Sequence, residues 1–179
     1  LLQQKLVGSG GVDTIDFGCA VEIRGDRAVI GADYYEAAYI FEYNGLAWEE
    51  KAMLSSANGD RSFGSVVSID GDYSIIGARY YDSSGFTNSG AAYIFSSIDS
   101  TWSLTNTLVP EDIGTADQFG SSASMNEDHI IIGSPGDDDG ASDAGAAYLY
   151  EGEYDEYEHI TSWIAKTKVV ATDSAAYDS

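Results

Sequence analysis

The chain has 179 residues, 44% of them apolar, with thirty acidic side chains against eight basic ones and a formal charge of −22. That length supports one core of ordinary size, and that apolar content excludes a disordered segment. The charge excludes a nucleic-acid surface, which needs clustered Lys and Arg, and it argues against adsorption to anionic lipid. No apolar run approaches the roughly 18 residues that a membrane-spanning helix needs, so no membrane insertion is expected.

The chain opens at Leu1 without a basic segment followed by an apolar one, so a secretory leader is expected to be absent or already removed. Residues 2–7 read as a short strand. Leu6 precedes Phe17 by eleven residues, as Leu108 precedes Phe119, so residues 1–16 are read as the last strand of a preceding unit and its connection.

From Phe17 onward one pattern runs three times. It opens at Phe17-Gly18, Phe63-Gly64 and Phe119-Gly120, and reaches Gly31, Gly77 and Gly133 fourteen residues later. It closes on Ala37-Ala38-Tyr39-Ile40-Phe41, Ala91-Ala92-Tyr93-Ile94-Phe95 and Ala146-Ala147-Tyr148-Leu149-Tyr150. Repeats of roughly 50 residues signal a solenoid, a propeller or an array.

Each unit reads as four strands. The first alternates (Val21-Glu22-Ile23, Val67-Ser68-Ile69, Ala123-Ser124-Met125), as a half-buried strand does. A tight turn follows at Arg24-Gly25-Asp26, Asp70-Gly71-Asp72 or Asn126-Glu127-Asp128. The second strand is continuously apolar (Ala28-Val29-Ile30, Ile75-Ile76, Ile130-Ile131-Ile132), which predicts burial on both faces. The third is the Ala-Ala-Tyr segment. The fourth carries Trp48, Trp102 and, by position, Tyr157, with Leu54, Leu108 and Trp163 six residues further on. No helical period is sustained and only two prolines occur, so the expected class is all-β.

The Phe-Gly opening, the Gly-Ala or Gly-Ser-Pro segment and the Gly-Ala-Ala-Tyr closing together resemble the FG-GAP repeat of integrin alpha subunits and many surface proteins. The resemblance implies β-propeller-type blades of four antiparallel strands, about three blades plus one strand of a preceding blade. The units are about 17–62, 63–118 and 119–179. With both termini at repeat junctions, the chain reads as a segment of a longer propeller; association of several copies is the other way to cover the ends.

Integrin-type repeats carry a calcium loop between first and second strands, and here that connection is a bare turn. An acidic loop stands instead between second and third strands. Asp137, Asp139 and Asp143 follow the order Asp-x-Asp-Gly-x-x-Asp, and Asp82, Ser84 and Asn88 repeat the spacing with fewer carboxylates. Calcium takes six to eight oxygens from carboxylates, amides and carbonyls, so these loops are the candidate metal ligands, the second the weaker. Acidic surface turns built for hairpin geometry are the competing reading.

Tyr34, Tyr35, Tyr80 and Tyr81 follow matching glycines, and exposed tyrosines suit sugars or protein partners. Their alternative role is to cover blade edges. Arg24-Gly25-Asp26 spells a tripeptide that integrins recognise, but repeat grammar accounts for it. The lone Cys19 stands where Ser65 and Ser121 stand in the other units, which suits a small buried thiol. Two histidines with no nucleophile elbow or phosphate-cradling loop give no catalytic constellation.

The expected function is therefore non-enzymatic: an extracellular or cell-surface adhesion or protein-interaction module, with calcium as the one candidate cofactor. Its expected partners are a protein, other copies of the chain, or a glycan. A structural subunit of an extracellular assembly and a carbohydrate-binding propeller are the alternatives.

Overall fold

The computed structural model describes residues 4–10, 16–56, 60–83, 85–97, 101–139, 144–157 and 159–170. Three sheets of four antiparallel strands account for the regular structure. The first is β1 (Val21–Arg24), β2 (Arg27–Ala32), β3 (Ala37–Tyr43) and β4 (Trp48–Ser55), paired in chain order. The second is β5 (Val66–Asp70), β6 (Tyr73–Ala78), β7 (Ala91–Ser96) and β8 (Ser103–Leu108). The third is β9 (Ser122–Asn126), β10 (His129–Ser134), β11 (Ala146–Tyr154) and β12 (Ile160–Val170). One turn of 3-10 helix, Asp33–Tyr35, joins β2 to β3.

The first two strands of each sheet meet through a two-residue loop, Gly25-Asp26, Gly71-Asp72 or Glu127-Asp128. The first loop residue takes positive φ each time: 58° at Gly25, 53° at Gly71 and 52° at Glu127. Glycine adopts that region freely, whereas glutamate meets steric resistance there. Between third and fourth strands the register slips at one matching place in every sheet, leaving Lys51, Thr105 and Lys166 as the extra residue. Such a bulge increases the local twist of the outer strand.

The sheets stack face to face as blades of a fan. The first strands of successive sheets touch, β1 against β5 and β5 against β9. The Ile69 amide donates to Glu22 Oε2 (2.9 Å) and the Met125 amide to Ser68 Oγ (3.1 Å) at these contacts. Two cores fill the junctions. Val29, Ala38, Ile40 and Leu54 of the first sheet pack against Phe63, Ile69, Ile76 and Tyr93 of the second. Ile75, Ala92, Ile94 and Leu108 of the second pack against Phe119, Met125, Ile132 and Tyr148 of the third. In every blade the motif phenylalanine lies 5.3 Å, centroid to centroid, from the motif tyrosine (Tyr39, Tyr93 or Tyr148).

Four expectations change in the folded chain. Cys19, expected as a small buried thiol, is exposed, because it lies in the Phe17-Gly18 turn of the first blade, outside the junction cores. Residues 4–8 form no strand; they lie along β4, where the Gln4 side chain exchanges hydrogen bonds with the Trp48 backbone at 2.8 and 2.9 Å. The second strand of the last blade is not buried on both faces, because no sheet among the described residues covers Ile131. Finally, Trp163 does not hold the place of Leu54 and Leu108. Leu54 pairs with Ala38 and Leu108 with Ala92, but Ala147 pairs with Val169, because the β11–β12 hairpin is longer than its counterparts. The added length hooks back on the second blade, with Trp163 packed edge-on against Tyr73 at 6.1 Å and the Ile160 amide donating to Tyr73 Oη. Tyr157 sits exposed in the turn before β12.

Candidate functional site: an acidic cage and a tyrosine groove

Gly145 closes the β10–β11 loop by donating its amide to the Asp137 carbonyl (2.9 Å), and Gly90 does the same to Tyr81 (3.0 Å). Asp137 thus occupies the structural place of Tyr81, one residue away from the match that sequence spacing gives with Asp82. Asp137 and Asp139 do come together, and a third carboxylate joins them. Asp112, from the connection before Phe119, brings an oxygen to the same place, with the three carboxylates within 4.8 Å of one another. Asp143 and Ser84 lie outside the described residues.

The cage already encloses a cation. Lys168 Nζ stands 2.8 Å from Asp112 Oδ2, 2.8 Å from Asp137 Oδ2 and 2.7 Å from Asp139 Oδ2. It reaches there because Lys168 pairs with Tyr148 in the β11–β12 register, the position of Met53 and Thr107 in the other blades. Below it the Tyr148 hydroxyl donates to Asp137 at 2.7 Å. Asp137 is buried, so its carboxylate depends on these two donors and on the Asp139 amide, which reaches Asp137 Oδ1 at 3.4 Å. Burial opposes the charge on Lys168, but the hydrogen bonds it donates to three carboxylates outweigh this and hold the ammonium well above its ordinary value. Burial likewise pulls the Asp112 carboxyl upward, and the lysine reverses this to leave it below the usual range. Burial first, and then the bond to Asp137, push the Tyr148 phenol up. In kind, the oxygens suit a hard cation such as calcium; in position, the ammonium meets them first.

The second loop is arranged differently. The Asp82 carboxylate accepts the Asn88 amide at 2.7 Å, so it braces its own loop. Asn88 is half-buried at φ 50°, a left-handed conformation that asparagine tolerates.

The four candidate tyrosines divide. Tyr34 and Tyr80 line one groove of about 530 Å³ between the first and second blades, walled also by Asp16, Asp33, Glu36 and Arg61. Tyr80 is braced by the Arg79 guanidinium, 4.8 Å from its ring centre. Tyr35 turns toward the amino-terminal segment, its hydroxyl 3.4 Å from the Gly10 carbonyl. Tyr81 packs inward, edge-on to Tyr93 at 6.4 Å, and belongs to the junction core.

Sequence reasoning missed Asp112 and Lys168. Asp112 was legible only as part of a polar connection, and Lys168 was hidden by the lengthened hairpin that spoils the alignment of the last unit. A lysine in a chain with so few basic residues was the one available signal.

No curated protein matches the chain. The family model of the FG-GAP repeat matches residues 1–41, 48–95 and 102–150. Each match ends at the close of a third-strand motif (Phe41, Phe95, Tyr150), and the second and third matches begin at or just before a fourth strand, so the sequence repeat and the folded sheet are offset by one strand. With more than half of its length matched and three sheets of one design, the chain belongs to the FG-GAP repeat family.

Proposed function

We propose that the chain is an extracellular protein-interaction or adhesion module that binds a basic segment of a partner protein in the groove between Tyr34 and Tyr80. The observation that carries this reading is the lining of that groove. Tyr34 is largely exposed, and Asp16, Asp33 and Glu36 stand around it, with Arg61 in the same lining and Arg79 stacked on the Tyr80 ring as the opposing charges. Two aromatic faces offer contact area at low entropy cost, and three carboxylates select for positive charge.

The test is an array of peptides graded from acidic to basic, read against the chain and its Tyr34→Ala/Tyr80→Ala variant. Binding should rise with peptide charge, weaken with salt and be lost in the variant. Signal on a glycan array instead would favour the carbohydrate-binding alternative, and silence on both arrays would overturn the proposal.

The cation dependence of this module rests on Asp112, Asp137 and Asp139 exchanging the Lys168 ammonium for calcium. Titration calorimetry with calcium and a melting curve with and without chelator test it. Absence of both heat and shift removes calcium from the account.

A further inference from the structure

The groove between Tyr34 and Tyr80 is open because one loop is short. The β2–β3 connection, residues 33–36, is a single turn of 3-10 helix, whereas its counterpart in the second blade runs over residues 79–90. That longer loop reaches the third blade, where the carbonyls of Thr87, Asn88 and Ser89 accept the amides of Ala116, Gln118 and Phe119. The second junction is therefore bridged at the level where the first stays open.

The two walls of the open groove carry opposite charges. Asp16, Asp33 and Glu36 stand on the first-blade side, and Arg61 stands on the second, with Arg79 stacked on Tyr80. Arg79 follows its second strand at the place that Asp33 holds in the first blade and Pro135 in the third, so the reversal of charge belongs to this junction.

These charges face one another without meeting. Arg24, Arg27, Lys51, Lys166 and Lys168 each form an ion pair with a carboxylate. Arg61 and Arg79 form none among the described residues, in a chain with thirty acidic side chains. The Arg79 Nε–H is moreover shut off from solvent with no acceptor, although a buried donor ordinarily has one. A carboxylate is the group that the guanidinium fork matches, with two oxygens for two N–H donors.

Resting on the reading of this groove as the binding site, we infer that its second-blade wall is a carboxylate subsite, with Arg61 as the contact and Arg79 adding charge at Tyr80. The partner segment then carries an acidic side chain directly beside its basic one. The spacing follows from strand geometry. A segment laid extended along the groove turns successive side chains to opposite sides, so a Lys facing the first blade sends its neighbour toward the second. An adjacent Lys-Asp pair meets both walls, and the same two residues one place further apart meet only one. Net charge alone favours the opposite ranking, because a chain at −22 repels an added acid.

Fluorescence anisotropy with labelled peptides of equal flanks and a central Lys-Asp, Lys-Asn, Lys-Ser-Asp or Lys-Lys tests it, at about 0.15 M salt to screen the long-range field. Lys-Asp should bind about three- to tenfold more tightly than Lys-Asn or Lys-Ser-Asp, the size of one charge-assisted hydrogen bond. In Arg61→Gln that advantage should vanish while Lys-Asn binding persists, and in Arg61→Glu the ranking should invert in favour of Lys-Lys. Arg61 is exposed, and circular dichroism checks that both variants fold. Lys-Asp binding no tighter than Lys-Asn, or an advantage that survives Arg61→Gln, overturns the carboxylate subsite and leaves the groove for basic segments standing. Equal binding of Lys-Asp and Lys-Ser-Asp overturns the adjacent spacing. A chain that binds none of the peptides overturns the subsite and the groove together.

Discussion

The carbonyl oxygen of Gly64 occupies the space that any side chain on Gly31 would need, with 2.0 Å between that oxygen and an ideal β-carbon. The blade spacing is therefore set by contact of backbone with backbone. Gly77 and Gly120 repeat the arrangement at the next junction, at 2.2 Å.

Gly31→Ala and Gly77→Ala should each force two blades apart and cost about 3 kcal/mol, at or above the upper end of ordinary overpacking, because a backbone cannot rotate out of the way. Gly133→Ala meets only the Ser122 hydroxyl, at 2.3 Å, and that side chain can rotate. It should cost well under 1 kcal/mol by the same reasoning. Urea unfolding of the three variants checks the contrast, and equal losses would remove this glycine notch from the account.

Lys168→Met puts at the third blade the residue that Met53 places at the first. It should destabilise the chain by roughly 3–5 kcal/mol at neutral pH, because the buried Asp137 loses its ion-pair partner. The pH dependence should change as well. In wild type Asp112 is held low, so its contribution is present above the ordinary carboxylate range and lost as pH falls through its folded value. Lys168 is held high, so its contribution is complete below the ordinary lysine value and lost only as pH rises through the folded one. The variant should instead gain stability on mild acidification, as protonation relieves the unpaired carboxylates. With the ammonium gone, calcium should raise the melting temperature of Lys168→Met more than that of wild type. Scanning calorimetry against pH and calcium reads both effects.

Glu127 holds a left-handed conformation where the other blades use Gly25 and Gly71. Glu127→Gly should stabilise the chain by about 0.5–1 kcal/mol, the relief of side-chain strain less the added freedom of the unfolded chain. The bond from its amide to Asp70 Oδ2, 2.7 Å, is made by backbone and should survive. Denaturant unfolding would show the gain, and a loss would mean that the glutamate side chain has a use of its own.

Much of the blade was legible residue by residue. Phe63 and Gly77 recur fourteen residues apart in every unit, and Tyr93 recurs in the Ala-Ala-Tyr closing after a loop of varying length, because each does one job per sheet: a ring to fill the junction, a notch, and a second ring beneath the first. The site was legible only in part. Asp137 and Asp139 were found together because three residues of loop contain both, while Tyr81 was grouped with Tyr80 although their side chains part, one into the core and one into the groove.

The sequence by itself determined the repeat, the four strands of each unit, the all-β class and the acidic loop, because each is written in neighbouring residues and local alternation. Only the tertiary structure decided that Lys168 closes on Asp112, 56 residues away, and that Ile131 is left uncovered while Ile75 is not. Hairpin length and the stacking of one sheet on the next settle those contacts, and neither can be read from spacing within a single unit.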